Sequence, residues 1–351
     1  MLMKNRLDKR KNLGNFRSLR TSQNLIDFAS NDYLGLARSE KLKKKWVGAN
    51  ELGSTGSRLL TGHTSYVEEL ENHIAYFHGY EAGLLFNCGY MANIGLADAI
   101  ATKEDVFFFD MQIHASLHEG MRASQAKIFP FRHNDLEHLE NRLKKNPSKG
   151  NRFICIESIY STDGSMAPLK EIYNLAQTYG AHLIVDEAHA IGIFGQSGKG
   201  LVFENGLAGK IFAQIVTFGK ALGTFGAIVL GNQLLKETLI NFAKPFIYST
   251  ALPLHCLIAI KCSYALFPNL EKERSHLKSL IEITSFSSSH IQPIYISGNR
   301  EALTLSKKIA DKGFDVRAFL SPTVQRGKEL LRICLHAFNS KEELITLLNI
   351  I

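Results

Sequence analysis

The residues of this sequence that could do chemistry follow four short apolar runs. Val106–Phe109 is followed by Asp110 and His114, Phe153–Ile156 by Glu157 and Ser161, His182–Val185 by Asp186 and His189, and Ile211–Val216 by Thr217 and Lys220. Ligands of an open parallel sheet bind beyond the carboxyl ends of its strands, so these side chains are the first candidates for a functional site. Together they offer carboxylates, imidazoles, hydroxyls and an amine.

This set of side chains suits pyridoxal 5'-phosphate (PLP). The cofactor needs an amine that forms a Schiff base with its aldehyde, and Lys220 follows an apolar run and a glycine, where it can extend from a tight turn. A carboxylate must keep the pyridine nitrogen protonated, and Asp186 is the candidate. The imidazole of His114 could stack on the ring, and His189 could hydrogen-bond the ring hydroxyl. The sequence therefore predicts a PLP site.

The phosphate of such a cofactor needs backbone N–H donors, which the start of a helix supplies. The segment Cys88-Gly89-Tyr90-Met91 follows the strand-like run Leu84–Phe86 and meets this need. We therefore expect the phosphate to bind at this segment.

Each of these residues also has an ordinary structural explanation. A lysine is usually a solvated surface charge, and an aspartate at the end of a buried strand often caps a helix. A lone histidine is more often structural than catalytic. The prediction of a PLP site therefore rests on the joint placement of these residues at the ends of separate strands.

A nucleic-acid helicase is a second class to consider, because Asp186-Glu187-Ala188-His189 matches the acidic motif of one helicase group. Such an ATPase also needs a phosphate-binding loop of the form Gly-x-x-x-x-Gly-Lys-Ser/Thr. At Gly198-Lys199-Gly200 the loop has Ile193 in place of the first glycine and no Ser or Thr after the lysine. The sequence therefore argues against ATPase activity.

The elements that position these residues alternate along the chain from about residue 65. The strand candidates are the apolar runs already named, together with Ile128–Phe131 and Ala227–Leu230. Most are continuously apolar, as in strands covered on both faces by helices, so we predict an α/β fold with a mostly parallel sheet. Two helices are indicated by apolar residues on one face: Val67, Leu70, Ile74 and Phe77 in the first, and Leu169, Ile172, Leu175 and Tyr179 in the second, with Pro168 just inside its start.

The chain changes character after about residue 245. A helical stretch from Pro253 to Phe267 precedes a serine-rich linker, and strand-like Pro293–Ile296 and Val316–Phe319 flank a helix around Ala302–Ala310, with strand-like Leu331–Leu335 after them. These features predict an N-terminal segment at residues 1–50, a large cofactor-binding α/β domain at 51–245 and a small α+β domain at 246–351.

The composition excludes a disordered or membrane-spanning protein. The 351 residues are 45% apolar and 21% charged, as in ordinary globular proteins. No apolar run approaches the roughly 20 residues of a membrane span, and the N-terminus has no apolar stretch typical of a secretory signal. The five cysteines form no Cys-x-x-Cys pair, so we expect reduced thiols and a cytoplasmic protein.

The net charge of +8 is concentrated partly near the N-terminus. The basic residues there are Lys4, Arg6, Lys9, Arg10, Lys11, Arg17 and Arg20, followed by Lys41, Lys43, Lys44 and Lys45. A solvated helix face is the ordinary explanation of such runs. A sharper hypothesis is that they attract the phosphates of coenzyme A or an acidic acyl carrier protein.

Several motifs in the right order resemble the α-oxoamine synthases, a family of PLP-dependent fold-type I enzymes. They are residues 28–36 (Phe-Ala-Ser-Asn-Asp-Tyr-Leu-Gly-Leu), 53–58 (Gly-Ser-Thr-Gly-Ser-Arg), 86–90 (Phe-Asn-Cys-Gly-Tyr), 161–164 (Ser-Thr-Asp-Gly), 185–189 (Val-Asp-Glu-Ala-His) and 217–220 (Thr-Phe-Gly-Lys). The resemblance spans nearly the whole chain and implies a PLP-dependent C-acyltransferase with a large PLP-binding domain and a smaller C-terminal one.

The resemblance also implies roles for individual residues. Lys220 would be the Schiff-base lysine, Asp186 the partner of the pyridinium and His114 the stacking imidazole. The further cofactor contacts would be Gly89, Tyr90, Ser161, His189 and Thr217, with Thr250 in a segment that reaches the phosphate of a second subunit. Arg332 would bind the carboxylate of an amino-acid substrate, and the substrate site would also include Arg17, Asn31 and Thr323. The family is homodimeric, with sites at the subunit interface.

Within the family, the chain is most similar to members that condense L-alanine with a pimeloyl thioester, carried on coenzyme A or on acyl carrier protein. Two alternatives stay open at this point. One is a member that uses glycine and acetyl-CoA or another short acyl thioester, and the other is a non-catalytic scaffold subunit of the same fold. The scaffold is disfavoured because Lys220 and Asp186 are both present.

Overall fold

The computed structural model describes residues 2–19, 21, 24–46 and 51–351. Contacts between residues divide the chain into a large unit, residues 34–160 and 166–271, and a small unit, residues 1–33, 161–165 and 272–351. The domain boundaries expected near residues 50 and 245 stay a prediction. Residue 50 itself, like Arg20 of the basic stretch, lies outside the described residues.

The helices and strands follow in chain order within the described ranges. The helices are α1 (Leu2–Asn12), α2 (Glu40–Lys45), α3 (Ser65–His78), α4 (Gly89–Ile100), α5 (Ala115–Ala123), α6 (Leu136–Lys145), α7 (Leu169–Thr178), α8 (Leu201–Glu204), α9 (Gln233–Phe242), α10 (Lys244–Ile247), α11 (Leu254–Leu266), α12 (Glu271–Thr284), α13 (Asn299–Ala310) and α14 (Lys341–Leu348). The strands are β1 (Ile26–Asp27), β2 (Ala82–Phe86), β3 (Val106–Asp110), β4 (Lys127–Phe131), β5 (Arg152–Glu157), β6 (His182–Asp186), β7 (Ala213–Thr217), β8 (Ala227–Gly231), β9 (Ile291–Tyr295), β10 (Phe314–Asp315), β11 (Arg317–Phe319) and β12 (Leu330–Cys334).

A seven-stranded sheet in the order β2-β8-β7-β6-β5-β3-β4 forms the centre of the large unit. Among these strands β8 runs antiparallel to its neighbours β2 and β7, and the other neighbouring pairs are parallel. The prediction of a mostly parallel sheet in an α/β fold is therefore confirmed.

The continuously apolar strands are buried because helices cover the sheet. Residues of β3 and β8 are buried throughout, and the core between the sheet and its helices includes Leu84, Leu96, Phe107, Phe153, Ile184 and Val229. Both predicted helices form. The second begins one residue later than expected, because Pro168 is the residue before the first turn of α7 rather than inside it.

The carboxyl ends of the parallel strands carry the predicted polar residues. Asp110, Glu157, Asp186 and Thr217 are each the last residue of their strand, not the residue after it. Glu157 pairs with Asp186 in the register of β5 and β6. The sheet therefore presents these side chains along one edge.

The small unit contains an antiparallel sheet in the order β11-β12-β9 and a parallel pair formed by β1 and β10. The strand expected at Val316–Phe319 is confirmed as β11, which begins one residue later, at Arg317. Sequence analysis missed the short strand β10 just before it, which pairs with β1 instead of β12.

Two general expectations can be compared with the described residues. All five cysteines lie within them, and none forms a disulfide. Every helix in the described ranges is too short or too polar to cross a membrane.

Candidate active site

The start of α4, in the large unit, is the segment predicted to bind the phosphate. Cys88 precedes the helix and its side chain makes no capping hydrogen bond, so the first N–H groups of α4 remain available to a ligand. An added Cβ at Gly89 would lie 2.6 Å from Cγ2 of Thr217, which explains why the helix can start so close to the end of β7. The predicted phosphate segment and Thr217 are therefore adjacent.

Two side chains border this helix start. The buried Oγ1 of Thr217 has no hydrogen-bond partner among the described residues, which is a costly state unless a ligand or water satisfies it. On the other side, Nδ2 of Asn87 donates to the backbone oxygen of Thr250 at 2.9 Å. Thr250 is itself exposed at the surface of the single chain.

Asp186 is held as an acceptor at the end of β6. Its side chain accepts hydrogen bonds from the backbone N–H of Ala188 at 2.9 Å and from Nδ2 of Asn93 at 2.8 Å. The residue is 5% exposed. Two donors fix the direction of the carboxylate, as a partner for a protonated ring nitrogen requires.

Lys220 lies in a tight turn that follows β7. The N–H of Gly223 donates to the carbonyl of Lys220 at 2.8 Å. Gly223 has φ of 65°, and a Cβ there would collide with the backbone of Ala37, so glycine is required. The amine Nζ of Lys220 lies 3.0 Å from Nε2 of the buried His189. The turn thus brings the predicted Schiff-base lysine to the predicted partner of the ring hydroxyl.

His114 caps the start of α5 with its own ring. Its Nδ1 accepts the backbone N–H of Ser116 at 3.3 Å and lies 2.7 Å from Oγ of the same residue. The pKa of His114 is lowered, because the surrounding protein removes part of the hydration of the ring and Lys220 repels its cation, while Asp186 opposes the shift. His114 keeps an exposed face, and Tyr90 meets it edge-on with ring centres 6.3 Å apart.

The small unit groups a second set of predicted residues around Arg332 on β12. One guanidinium nitrogen donates to the backbone oxygen of Ser161 at 2.8 Å and another to Oδ1 of Asn31 at 3.1 Å. Arg332 is 8% exposed, and its Nε finds no partner among the described residues. Tyr33 also donates to Oδ1 of Asn31, at 2.9 Å. An oriented guanidinium with an unsatisfied N–H suits a carboxylate ligand.

The remaining predicted substrate residues form a separate pair in the small unit. Nη2 of Arg17 donates to Oγ1 of Thr323 at 3.3 Å. This hydrogen bond is exposed to solvent, and neither of its two residues bonds to Arg332, the predicted carboxylate ligand.

Sequence reasoning missed Asn93 and Ser116. Asn93 is 2% exposed and donates both to Asp186 and, at 2.9 Å, to Oγ of Ser116. The sequence signal that could have found Asn93 is its position in a helix of mostly small and apolar residues. Such a helix is expected to be buried, and a buried amide needs hydrogen-bond partners. Which partners it has follows only from the tertiary structure.

The residues of the large unit fit PLP. The helix start and the unsatisfied Thr217 hydroxyl offer donors to a phosphate, the anchored Asp186 suits a pyridinium, and Lys220 supplies the amine. These are the groups the cofactor requires.

Comparison with known proteins agrees with this chemistry. The family model described as aminotransferase class I and II matches residues 23–351. The chain therefore belongs to the aminotransferase class I and II family. Its relatives and structural neighbours identify it further as a PLP-dependent C-acyltransferase of the α-oxoamine synthase type.

Three similar proteins illustrate the relationship. An 8-amino-7-oxononanoate synthase of Emericella nidulans is 38% identical, with 93% of this chain and 88% of the relative covered. The structure of 8-amino-7-oxononanoate synthase from Francisella tularensis has a TM-score of 0.80 at 29% identity, covering 93% of this chain and 96% of the other. A serine palmitoyltransferase variant from S. paucimobilis, solved with a PLP–myriocin aldimine, has a TM-score of 0.90 at 26% identity, covering 99% and 95%.

Proposed function

We propose that this chain catalyses the reaction of the 8-amino-7-oxononanoate synthases in biotin biosynthesis. L-alanine and a pimeloyl thioester would condense to 8-amino-7-oxononanoate, with release of CO2 and the thiol of coenzyme A or acyl carrier protein. The observation that carries the choice of substrates is the 38% identity to the Emericella nidulans 8-amino-7-oxononanoate synthase over 93% of this chain.

PLP, when bound, supplies an electron-poor ring that stabilises negative charge at Cα of the amino acid. Asp186, anchored by Asn93 and Ala188, would keep the ring nitrogen protonated. Lys220 would hold the aldehyde in the resting enzyme and then, as a neutral amine, accept the Cα proton at Nζ. His189, 3.0 Å from Nζ, would orient that amine.

The other residues would bind and orient. The N–H groups at Gly89 and Tyr90, the hydroxyl of Thr217 and Ser161 would contact the cofactor, and His114 would stack on its ring. Arg332 and Asn31 would bind the carboxylate of alanine, with Arg17 and Thr323 in the acyl part of the site. The unsatisfied Nε of Arg332 supports its role as a carboxylate ligand.

The proposal includes a homodimer, in which Thr250 of each chain would contribute to the phosphate site of the other. The exposure of Thr250 at the surface of the single chain supports this arrangement. Cysteines without disulfides support a cytoplasmic location.

A related α-oxoamine synthase with other substrates is the second candidate. The similarity in fold to serine palmitoyltransferase, with a TM-score of 0.90, favours considering it. A member that uses glycine and acetyl-CoA or another short acyl thioester belongs to this group.

Mass spectrometry of the product separates the two candidates. The PLP-loaded protein is incubated with L-alanine or glycine and, in separate reactions, with pimeloyl-CoA, pimeloyl-acyl carrier protein or acetyl-CoA. We expect 8-amino-7-oxononanoate from alanine and a pimeloyl donor. Product formed only from glycine and acetyl-CoA would contradict the proposed substrates and favour the second candidate.

Replacement of Lys220 tests the catalytic assignment in the same assay. Lys220→Ala should abolish turnover and the borohydride-stable attachment of PLP to the peptide that contains residue 220. The matched control is Lys210→Ala, because Lys210 is an exposed lysine of the same unit. An active Lys220→Ala protein would contradict the assignment.

A further inference from the structure

Four side chains of the large unit form one continuous hydrogen-bonded network from the carboxylate to the imidazole. Oδ2 of Asp186 lies 2.8 Å from Nδ2 of Asn93, which lies 2.9 Å from Oγ of Ser116, which lies 2.7 Å from Nδ1 of His114. We call these four residues the imidazole network. Asn93 and Ser116 are 2% and 0% exposed, so water does not compete with these contacts from their side.

The backbone favours one tautomer of His114. The N–H of Ser116 points at Nδ1, at a distance of 3.3 Å. A backbone N–H is always a donor, so this long contact favours a Nδ1 that accepts and a proton on Nε2. The shorter contact, 2.7 Å from Oγ of Ser116 to Nδ1, decides how firmly that tautomer is held.

Asn93 determines the direction of the Ser116 hydroxyl. The Asp186 carboxylate accepts, so it must face the NH2 group of Asn93 rather than its oxygen. The second hydrogen of that NH2 group is then directed to Oγ of Ser116, which accepts it. The one hydrogen of the hydroxyl is left for Nδ1 of His114, which agrees with the direction set by the backbone N–H.

The electrostatic surroundings of His114 also act on its charge. His114 lies at the N-terminal end of α5, where the helix dipole disfavours a cation. Partial burial of the ring disfavours the imidazolium most, whereas Asp186 favours it and Lys220 disfavours it, and the net effect is a lowered pKa of His114. A neutral ring is the result near neutral pH.

We propose that Asn93 and Ser116 are positioning residues that hold His114 as a neutral imidazole with its proton on Nε2. A neutral ring can present its face to the electron-poor ring of PLP without charge repulsion. Nε2–H is then the one hydrogen-bond donor of the ring. The proposal concerns the resting protein and is independent of which amino acid and acyl donor it uses.

Nuclear magnetic resonance of ¹⁵N-histidine-labelled holoprotein tests this directly. Long-range ¹H–¹⁵N spectra distinguish a protonated from an unprotonated ring nitrogen, and the His114 signals are assigned by their loss in His114→Gln. We expect an unprotonated Nδ1 and a protonated Nε2 near neutral pH. A proton on Nδ1 in the wild-type protein overturns the proposal whatever the variants do.

Two variants test the positioning role. Ser116→Ala leaves Nδ1 of His114 with only the longer hydrogen bond from the backbone. Asn93→Ala allows the Ser116 hydroxyl to rotate away from Nδ1. In both variants the ¹⁵N signals of His114 should shift toward those of a mixture of tautomers. The matched control is Ser124→Ala, which removes a buried hydroxyl near the other end of α5 that bonds to the carbonyl of Met121. Variants that keep the wild-type His114 signals, or a control that shifts them equally, overturn the proposal.

The kinetic readout separates positioning from general stability. Loss of one hydrogen bond to the ring should lower kcat about tenfold in Ser116→Ala, with a smaller change in KM for the amino acid. The same variant should shift the pH profile of kcat, because an unfixed ring protonates more readily. Unchanged kcat and pH profile in Ser116→Ala would contradict the positioning role even if the spectra changed.

Discussion

Glu71 offers a stringent test of how the large unit holds the edge that is proposed to bind the cofactor. This fully buried carboxylate on α3 accepts hydrogen bonds at Oε1 from Arg58 at 2.9 Å and from the backbone N–H of Leu85 on β2 at 2.8 Å. Its Oε2 lies 2.9 Å from Nζ of Lys236 on α9. Because β2 leads directly into the start of α4, this cluster supports the proposed phosphate site.

The effect of Glu71→Gln follows from the burial of the two cations. The side chains of Arg58 and Lys236 are 8% and 16% exposed. Glutamine keeps the shape and one acceptor but removes the buried charge that pairs with both cations. Removing one partner of a buried ion pair typically costs about 3–5 kcal/mol, and since Lys236 can turn toward solvent we expect the lower end, about 3 kcal/mol. For a unit of this size that is a fall of roughly 6–12 °C in Tm.

Thermal and urea unfolding followed by circular dichroism measure this effect. Glu40→Gln is the matched control, because Glu40 makes an ion pair with Lys43 in which both side chains are exposed. We expect the control to leave the midpoint unchanged, since exposed pairs contribute little. If Glu71→Gln and Glu40→Gln unfold at the same midpoint, the reasoning about the buried cluster is refuted.

Three further predictions concern the site, pH and an acidic partner. Gly89→Ala places a Cβ within 2.6 Å of Thr217 and should weaken PLP binding, measured by absorbance titration, at least tenfold, which is about the free-energy cost of overpacking. Gly53→Ala is the control and should leave PLP binding unchanged, because a Cβ at Gly53 meets nothing within 4 Å. Burial raises the pKa of Glu187 from 4.5 to about 8, so between these pH values the folded chain binds more protons than the unfolded chain. The free energy of unfolding should therefore fall as the pH rises through this window. Urea unfolding midpoints measured at several pH values should fall less steeply in Glu187→Gln than in the wild-type protein. Turnover with pimeloyl-acyl carrier protein should decline as ionic strength rises, because salt screens the attraction between an acidic carrier protein and the exposed basic residues of α1. A rate that is independent of salt concentration would exclude this attraction.

The strands were the most predictable part of the fold. A run such as Val106–Phe109 is apolar at every position, and the structure buries it on both faces of a parallel sheet. The same rule found β11 at Val316–Phe319 to within one residue but missed β10, which has only two residues and pairs with β1. Hydrophobic pattern indicates that a segment is buried and extended, but pairing partners depend on residues distant in the chain.

The chemical types of the site residues could also be predicted, but not the residues that hold them in position. The position of Lys220 after β7 follows from local sequence, whereas the requirement for Gly223 follows from the approach of Ala37, a residue distant in the chain. In the same way, Arg58 is part of a recognisable motif, yet its partner Glu71 becomes evident only when α3 packs beside β2. Local patterns predict chemical groups, and long-range packing determines how they are held.

Asn93 is a supporting residue that could have been recognised from the sequence. On α4 its buried neighbours are Ala92, Gly95, Leu96 and Ala97, so an amide among them must have its donors satisfied within the protein. An amide NH2 group has two hydrogens, and a site that contains a carboxylate and a hydroxyl can accept both. The helix start places Asn93 one turn after Gly89, which already points it toward the end of the sheet that carries Asp186. We therefore expect that a buried polar residue one turn inside a helix proposed to bind an anion is a positioning residue, and the tautomer of His114 measured by nuclear magnetic resonance tests this expectation.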